Sequence, residues 1–136
     1  MERLTGILET VLYADDLDAA EGFYTGVLGL PRVGEGSTLM RTFRVGPRQV
    51  LLVFDPAESK PTGRDVPSHG ARGPGHVALL VGEGELPAWR DRLTAQGVQI
   101  EQEVEWDWGD TPHRSLYVRD PAGNSVELIT GDIWAS

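Results

Sequence analysis

Along this chain, apolar positions come in short clusters that change period from strand-like to helix-like and then do so again. In "GILETVLYADD", Ile7, Leu8, Val11, Leu12 and Tyr13 read as a largely buried strand over residues 7–14, with Glu9 standing among them. The next stretch, "DDLDAAEGFYTGVLG", switches to helical spacing: Leu17, Ala20, Tyr24, Val27 and Leu28 make one apolar stripe. Asp15 or Asp16 can cap it and Gly29 can end it. A short strand is expected around 30–34, followed by "TLMRTFRV" (38–45) and "QVLLVF" (49–54), joined by a Gly46-Pro47 turn.

Residues 55–75 are rich in Pro, Gly and charge and lack any period, which predicts a linker or a long surface loop. The pattern then resumes. "HVALLV" (76–81) is a strand, and "ELPAWRDRLTAQG" is a helix with Pro87 in its first turn, Leu86, Trp89 and Leu93 as its stripe, and Gly97 as its stop. Strands follow at 98–105, 114–119 and 125–129, the last pair joined by Asp120-Pro121-Ala122-Gly123.

Laid over each other, the halves put Glu9 on His76, Leu17 on Leu86, Leu30 on Val98, Phe43 on Tyr117 and Leu51 on Glu127. Order, element type and length agree, which reads as an internal β-α-β-β-β duplication within one domain. The first module is expected over about 5–54, the linker over 55–74 and the second module over about 75–130.

Composition narrows the function. The 136 residues include 12 basic and 21 acidic side chains, a formal net charge of −9, which argues against a nucleic-acid partner. No apolar run approaches the roughly 20 residues of a membrane span, and "MERLTGILET" has no signal-peptide pattern, so the expected compartment is the cytoplasm. With no cysteine, thiolate metal sites, disulfides and cysteine nucleophiles are excluded. "GVLGL" and "GARGPG" lack the context of phosphate loops, and no Gly-x-Ser-x-Gly supports a serine hydrolase.

Alternation places Ile7, Glu9, Val11 and Tyr13 on one strand face, His76, Ala78 and Leu80 on another, and Ser125, Glu127 and Ile129 on a third. Singly, each of Glu9, His76 and Glu127 is an ordinary polar-face residue. Together, at positions related by the repeat, they are three candidate ligands of one ion, with Leu51 in the fourth place. Three protein ligands leave coordination positions for water or substrate.

At these residues the chain resembles the vicinal oxygen chelate superfamily, which includes glyoxalase I, extradiol dioxygenases and bleomycin-resistance proteins. "LETVLYADDLDAAEGFYTGVLGL" (8–30), "GPGHVALLV" (73–81) and "SLYVRDPAGNSVEL" (115–128) carry the resemblance. It implies an α+β fold in which two tandem βαβββ modules form a cupped mixed sheet with helices on the outer face. It also implies one divalent metal at Glu9, His76 and Glu127, a small oxygen-bearing substrate, and a homodimer.

Glu9 stands where many relatives have histidine. Two carboxylates and one imidazole shift the expectation toward Mn, Mg, Ni, Co or Zn as a Lewis acid, with Fe among the candidates. Isomerase, lyase, transferase and dioxygenase chemistry all follow from the resemblance. The alternative is a metal-free protein of the bleomycin-resistance type that sequesters a drug or natural product.

Around the ion, His113, Ser115 and Tyr117 share one strand face. Tyr117 matches the spacing of an active-site tyrosine in extradiol dioxygenases, but 108–110 read Trp-Gly-Asp where that family's histidine would stand. His113 is a candidate acid or base, and Glu9 a candidate proton carrier. Ser115 and its first-half counterpart Arg41 are candidate substrate contacts, and His69, in the linker, is expected to be exposed.

Overall fold

The computed structural model describes residues 1–107 and 112–135, so Trp108 and the 108–110 segment lie outside the described residues. The chain divides into two compact units, Met1–Gly73 and Pro74–Ser136. Each is a mixed sheet with a helix packed on one face. Among the described residues, no helix is long and apolar enough to cross a membrane.

In the first unit, β1 (Glu9–Tyr13) pairs in parallel with β3 (Gln49–Phe54), which pairs antiparallel with β2 (Met40–Gly46). The strand expected at 30–34 shrinks to a single bridge between Arg32 and Phe43. Between β1 and β2 runs α1 (Leu17–Glu21), capped by Asp16, whose Oδ1 accepts from the Ala19 N–H at 3.0 Å. It widens into a π turn over Gly22–Val27, where the Leu28 N–H donates to the Phe23 carbonyl. The extra residue in that turn advances the apolar stripe, so Phe23 is buried beside Tyr24 while Val27 is only half-buried.

Residues paired across a ladder point to the same face. Leu12, Leu51, Val53 and Phe43 therefore share the face covered by α1, and all four are buried. Tyr24 closes that core, its ring 5.4 Å from the Phe43 ring. Glu9, Val11, Tyr13, Leu52 and Thr42 lie on the opposite face. Ile7 and Leu8, expected in a buried strand, are 71% and 68% exposed: β1 is an edge strand and its ladder begins only at Glu9.

The long segment after β3 opens with a short helix, α2 (Pro56–Ser59), capped by Asp55. Its far end is not free. Tyr13 Oη lies 2.7 Å from His69 Nδ1, and the imidazole packs edge-on to Phe54 at 4.6 Å. His69, expected to be exposed, is thus seated against the Glu9 face of the sheet.

The second unit has the fuller set of strands, in the order β4-β7-β6-β5. These are β4 (His76–Val81), β5 (Gln102–Trp106), β6 (His113–Arg119) and β7 (Ser125–Thr130), with α3 (Leu86–Ala95) packed against β6 and β7. Leu116, Val118, Val126 and Leu128 alternate along β6 and β7 and are buried, as are Leu86 and Leu93 of the helix. Trp89 stays half-buried at the helix surface, with the Arg92 guanidinium 5.0 Å from its ring centre. Gly97 ends the helix in the left-handed region, at φ 78°.

The Asp120–Asn124 turn is built by side chains. Asp120 Oδ1 accepts from the backbone of Ala122 and Asn124, and Asn124 Nδ2 donates to Asp120 Oδ2. Asn124 Oδ1 in turn accepts from the Gly75 N–H at 2.7 Å, which ties the turn to the start of β4.

The registers revise the overlay of the halves by one residue. Glu127 pairs with Ala78 and Tyr117, while Leu52 pairs with Val11 and Thr42. With His76 matched to Glu9, the counterparts of Glu127 and Tyr117 are Leu52 and Thr42, not Leu51 and Phe43. Both leucines are buried, so the hydrophobic pattern could not tell them apart.

Candidate functional site

The site candidates of the second unit lie on the sheet face turned away from α3. The parallel pairing of β4 with β7 puts His76 beside Ser125, and the antiparallel pairing of β6 with β7 puts Tyr117 beside Glu127. His76 Nε2 lies 3.2 Å from Glu127 Oε1. Glu127 is 7% exposed and its imidazole partner is exposed, so the pair has one buried and one open side.

Each partner is held from behind. His76 Nδ1 lies 3.1 Å from the Ser125 carbonyl oxygen and 3.2 Å from the Ser125 hydroxyl. A carbonyl only accepts, so Nδ1 carries the proton and Nε2 of a neutral ring turns its lone pair toward Glu127. Glu127 Oε2 accepts from the Ser115 hydroxyl at 2.5 Å, and Ser115 Oγ accepts from the Trp106 indole N–H at 2.8 Å.

Two facing lone pairs at 3.2 Å need a proton or a cation between them. Ligand atoms each about 2.0–2.2 Å from one metal, at right angles, stand roughly 3 Å apart. The donor atoms and their supporting hydrogen bonds therefore fit two ligands of a divalent ion. Among the described residues, no three His, Asp or Glu side chains gather as a metal-binding group. Glu9 belongs to the first unit, exposed at the start of β1.

Tyr117 flanks the pair. Its ring lies 6.3 Å from that of His76, nearly parallel to it. Burial, then the negative charge of Glu127 and a hydrogen bond to it, hold the phenol above its ordinary value of 10, with the Ser115 hydroxyl opposing. His113 sits two residues before Ser115, and its Nδ1 lies 2.9 Å from the Thr130 carbonyl, so Nδ1 carries the proton. The imidazole closes over Gly131, where an added Cβ would come within 2.5 Å of the ring.

Arg41 is placed differently from expectation. The β2 register puts it opposite Val53, on the helix-covered face rather than the Glu9 face. Its guanidinium reaches Asp18 at 2.8 Å and Glu21 at 3.3 Å, both on α1, and it also donates to the Ser37 carbonyl. Those bonds join helix to sheet. Ser115, taken in the sequence as a substrate contact, is completely buried with its hydroxyl engaged by Glu127 and Trp106.

The sequence places Trp106 and Trp108 beside an acidic turn as candidate pocket walls and Ser125 on the Glu127 face, but assigns neither Trp106 nor Ser125 a role at the site. The signal for Trp106 was its place in the strand facing His113: extending that strand from 105 to 106 puts the indole diagonal to Ser115. Ser125 signalled itself only through pairing with His76 in a parallel ladder, which hydropathy does not encode.

Comparison with known proteins agrees with this architecture. A lactoylglutathione lyase from Agrobacterium tumefaciens is 41% identical over 99% of this chain and 100% of its own, with a TM-score of 0.89. A glyoxalase/bleomycin resistance protein/dioxygenase from Nocardioides shares the fold at 24% identity, covering 96% of this chain and 85% of its own, with a TM-score of 0.73. The oxidase ChaP-H2 shares it at 22% identity, covering 96% of each chain, with a TM-score of 0.65. No curated protein matches the sequence. The model of the Glyoxalase/Bleomycin resistance protein/Dioxygenase superfamily matches residues 6–128, nearly the whole chain, and the protein belongs to that superfamily.

Proposed function

We propose that the protein is a metal-dependent enzyme acting on a small substrate with two neighbouring oxygens, by isomerase or lyase chemistry. The observation that carries this reading is the His76–Glu127 pair, 3.2 Å apart and fixed from behind on both sides. The reading is supported by the 41% identity to a lactoylglutathione lyase, a protein named for a hydroxyacyl thioester. His76 and Glu127 would hold a divalent metal, and Glu9 is the third ligand that membership of the superfamily implies.

When bound, the metal supplies Lewis acidity to the neighbouring substrate oxygens. The chain's own residues do the rest. Glu9, an exposed carboxylate, takes a proton from the carbon beside a carbonyl and returns it to the adjacent carbon. Tyr117 keeps its phenol proton at neutral pH and donates a hydrogen bond beside the pair. His113, with Nδ1 held by Thr130, presents Nε2 as a second acid or base on the same sheet face.

The test is metal analysis of protein purified without added metal or chelator, then dialysis against Mn(II), Fe(II), Co(II), Ni(II) or Zn(II). Reconstituted protein is assayed on lactoylglutathione, dicarbonyls with glutathione, epoxides and catechols. One equivalent of metal with turnover of a hydroxyacyl thioester or dicarbonyl is expected. Substoichiometric metal that no dialysis restores would overturn the enzyme reading in favour of a sequestering protein. Oxygen uptake with catechols would replace isomerase chemistry with dioxygenation.

A further inference from the structure

We infer that Ser115 and Trp106 are positioning residues: together they form a directed relay that aims Glu127 Oε1 at His76. The argument begins with which groups can donate. An indole N–H has no acceptor capacity, so the 2.8 Å contact between Trp106 Nε1 and Ser115 Oγ runs one way, from ring to hydroxyl. The hydroxyl has one hydrogen. With its oxygen accepting from Trp106, that hydrogen goes to Glu127 Oε2 at 2.5 Å, since a carboxylate is a stronger acceptor than the neighbouring Tyr117 phenol.

The strand registers make this possible. Trp106 pairs with His113 on the β5–β6 ladder, so its indole reaches diagonally to Ser115. Ser115 pairs with Ile129 on β7, so its hydroxyl reaches diagonally to Glu127. The two diagonals run on the same face and form one chain of hydrogen bonds across three strands. Ser115 is completely buried and Glu127 nearly so. A serine rotor in such a place could otherwise turn its hydrogen elsewhere, and a glutamate has three rotatable bonds. The indole removes the first freedom and the hydroxyl the second. What remains is Glu127 with Oε2 held by Ser115, a further hydrogen bond from the Tyr117 phenol, and Oε1 presented to His76 Nε2.

The consequence for metal affinity rests on the metal reading given above, and the relay itself does not. Two measurements separate them. The first follows the Trp106 indole N–H cross-peak by NMR in protein without added metal, among the four tryptophans of the chain, with Trp106→Phe assigning it. Ser115→Ala is expected to shift that peak, Ser115→Thr to leave it near its wild-type position, and Glu127→Gln to shift it through the serine. The second is titration with Mn(II). Ser115→Ala is expected to weaken binding by about ten- to a hundredfold, and Ser115→Thr to restore most of it. Trp106→Phe should weaken binding too, and the Ser115→Ala/Trp106→Phe double variant should be no weaker than Ser115→Ala alone.

An indole peak unmoved by both Ser115→Ala and Glu127→Gln overturns the relay. So does a double variant whose loss equals the sum of the single losses, or a Ser115→Ala protein with wild-type Mn(II) affinity. Trp106→Phe carries the titration on its own if Ser115→Ala does not fold. Wild-type protein that takes up no divalent ion defeats the metal reading instead, and the indole shifts still decide the relay.

Discussion

Tyr13 and His69, separated by 56 residues of chain, share a 2.7 Å hydrogen bond that holds the long loop after β3 against the sheet face bearing Glu9. A loop of this composition has little apolar surface of its own to bury, so one clamp decides much of its order. Tyr13→Phe removes the phenol and keeps the ring. The expected cost is about 1 kcal/mol, a fall of a few degrees in Tm. Limited proteolysis should show faster cleavage within residues 60–73 and unchanged resistance elsewhere. Uniformly faster cleavage would mean that the bond supports the whole unit.

Arg41 gives a prediction of the opposite kind to the one its position in the sequence suggested. With its guanidinium between Asp18 and Glu21, Arg41→Ala should lower Tm by a few degrees and leave KM for the substrate unchanged. A raised KM without loss of stability would return Arg41 to the substrate.

Leu93 is completely buried on α3, and Leu93→Ala should cost about 2–5 kcal/mol, read from urea unfolding. Leu93→Met, which keeps the volume, should cost less than about 1.5 kcal/mol. Equal losses from the two would show that shape rather than volume governs the packing of this helix.

Glu9→Gln separates ligation from proton transfer. An amide oxygen can still coordinate weakly but takes no proton. The variant should therefore keep part of its Mn(II) affinity while kcat falls by about 10²–10⁴-fold. Proportionate loss of metal and turnover would make Glu9 a ligand only.

The Glu101–Arg119 pair supplies a pH dependence. Both oxygens of Glu101 accept from the Arg119 guanidinium, at 2.6 and 3.0 Å, and these hydrogen bonds pull the carboxyl below its ordinary 4.5. A carboxyl lowered in the folded state adds stability above its unfolded value, and that share is lost as pH falls through the folded value. Glu101→Gln should thus lower the urea midpoint slightly at pH 7 and hardly at all well below pH 4.5. Salt should shrink the difference, because both groups are exposed.

Element order and the two-fold repeat were readable because buried strands and amphipathic helices leave periods of two and 3.6 in the hydropathy. Phase was not. Leu51 and Leu52 are both buried, one toward α1 and one away from it, so apolarity at both positions hid which one corresponds to Glu127. The same ambiguity turned Arg41 toward the wrong face. His76 and Glu127 stood out because charged or titratable side chains interrupt apolar strands there. Ser115 and Trp106 look like ordinary strand residues, and only the ladder shows that they reach Glu127.

The Asn124 bond to Gly75 has a consequence beyond the turn it closes. A strand has only two faces, so a slip of one residue between β4 and β7 would send His76 toward α3 and leave Glu127 facing an empty neighbour. Asn124 precedes Ser125 and Gly75 precedes His76, so this single side chain locks the two strands in phase just before the pair they carry. It works as an alignment pin. Damage there would be recorded in an assay as lost chemistry, although Asn124 is buried with its side chain bonded to Gly75 and Asp120.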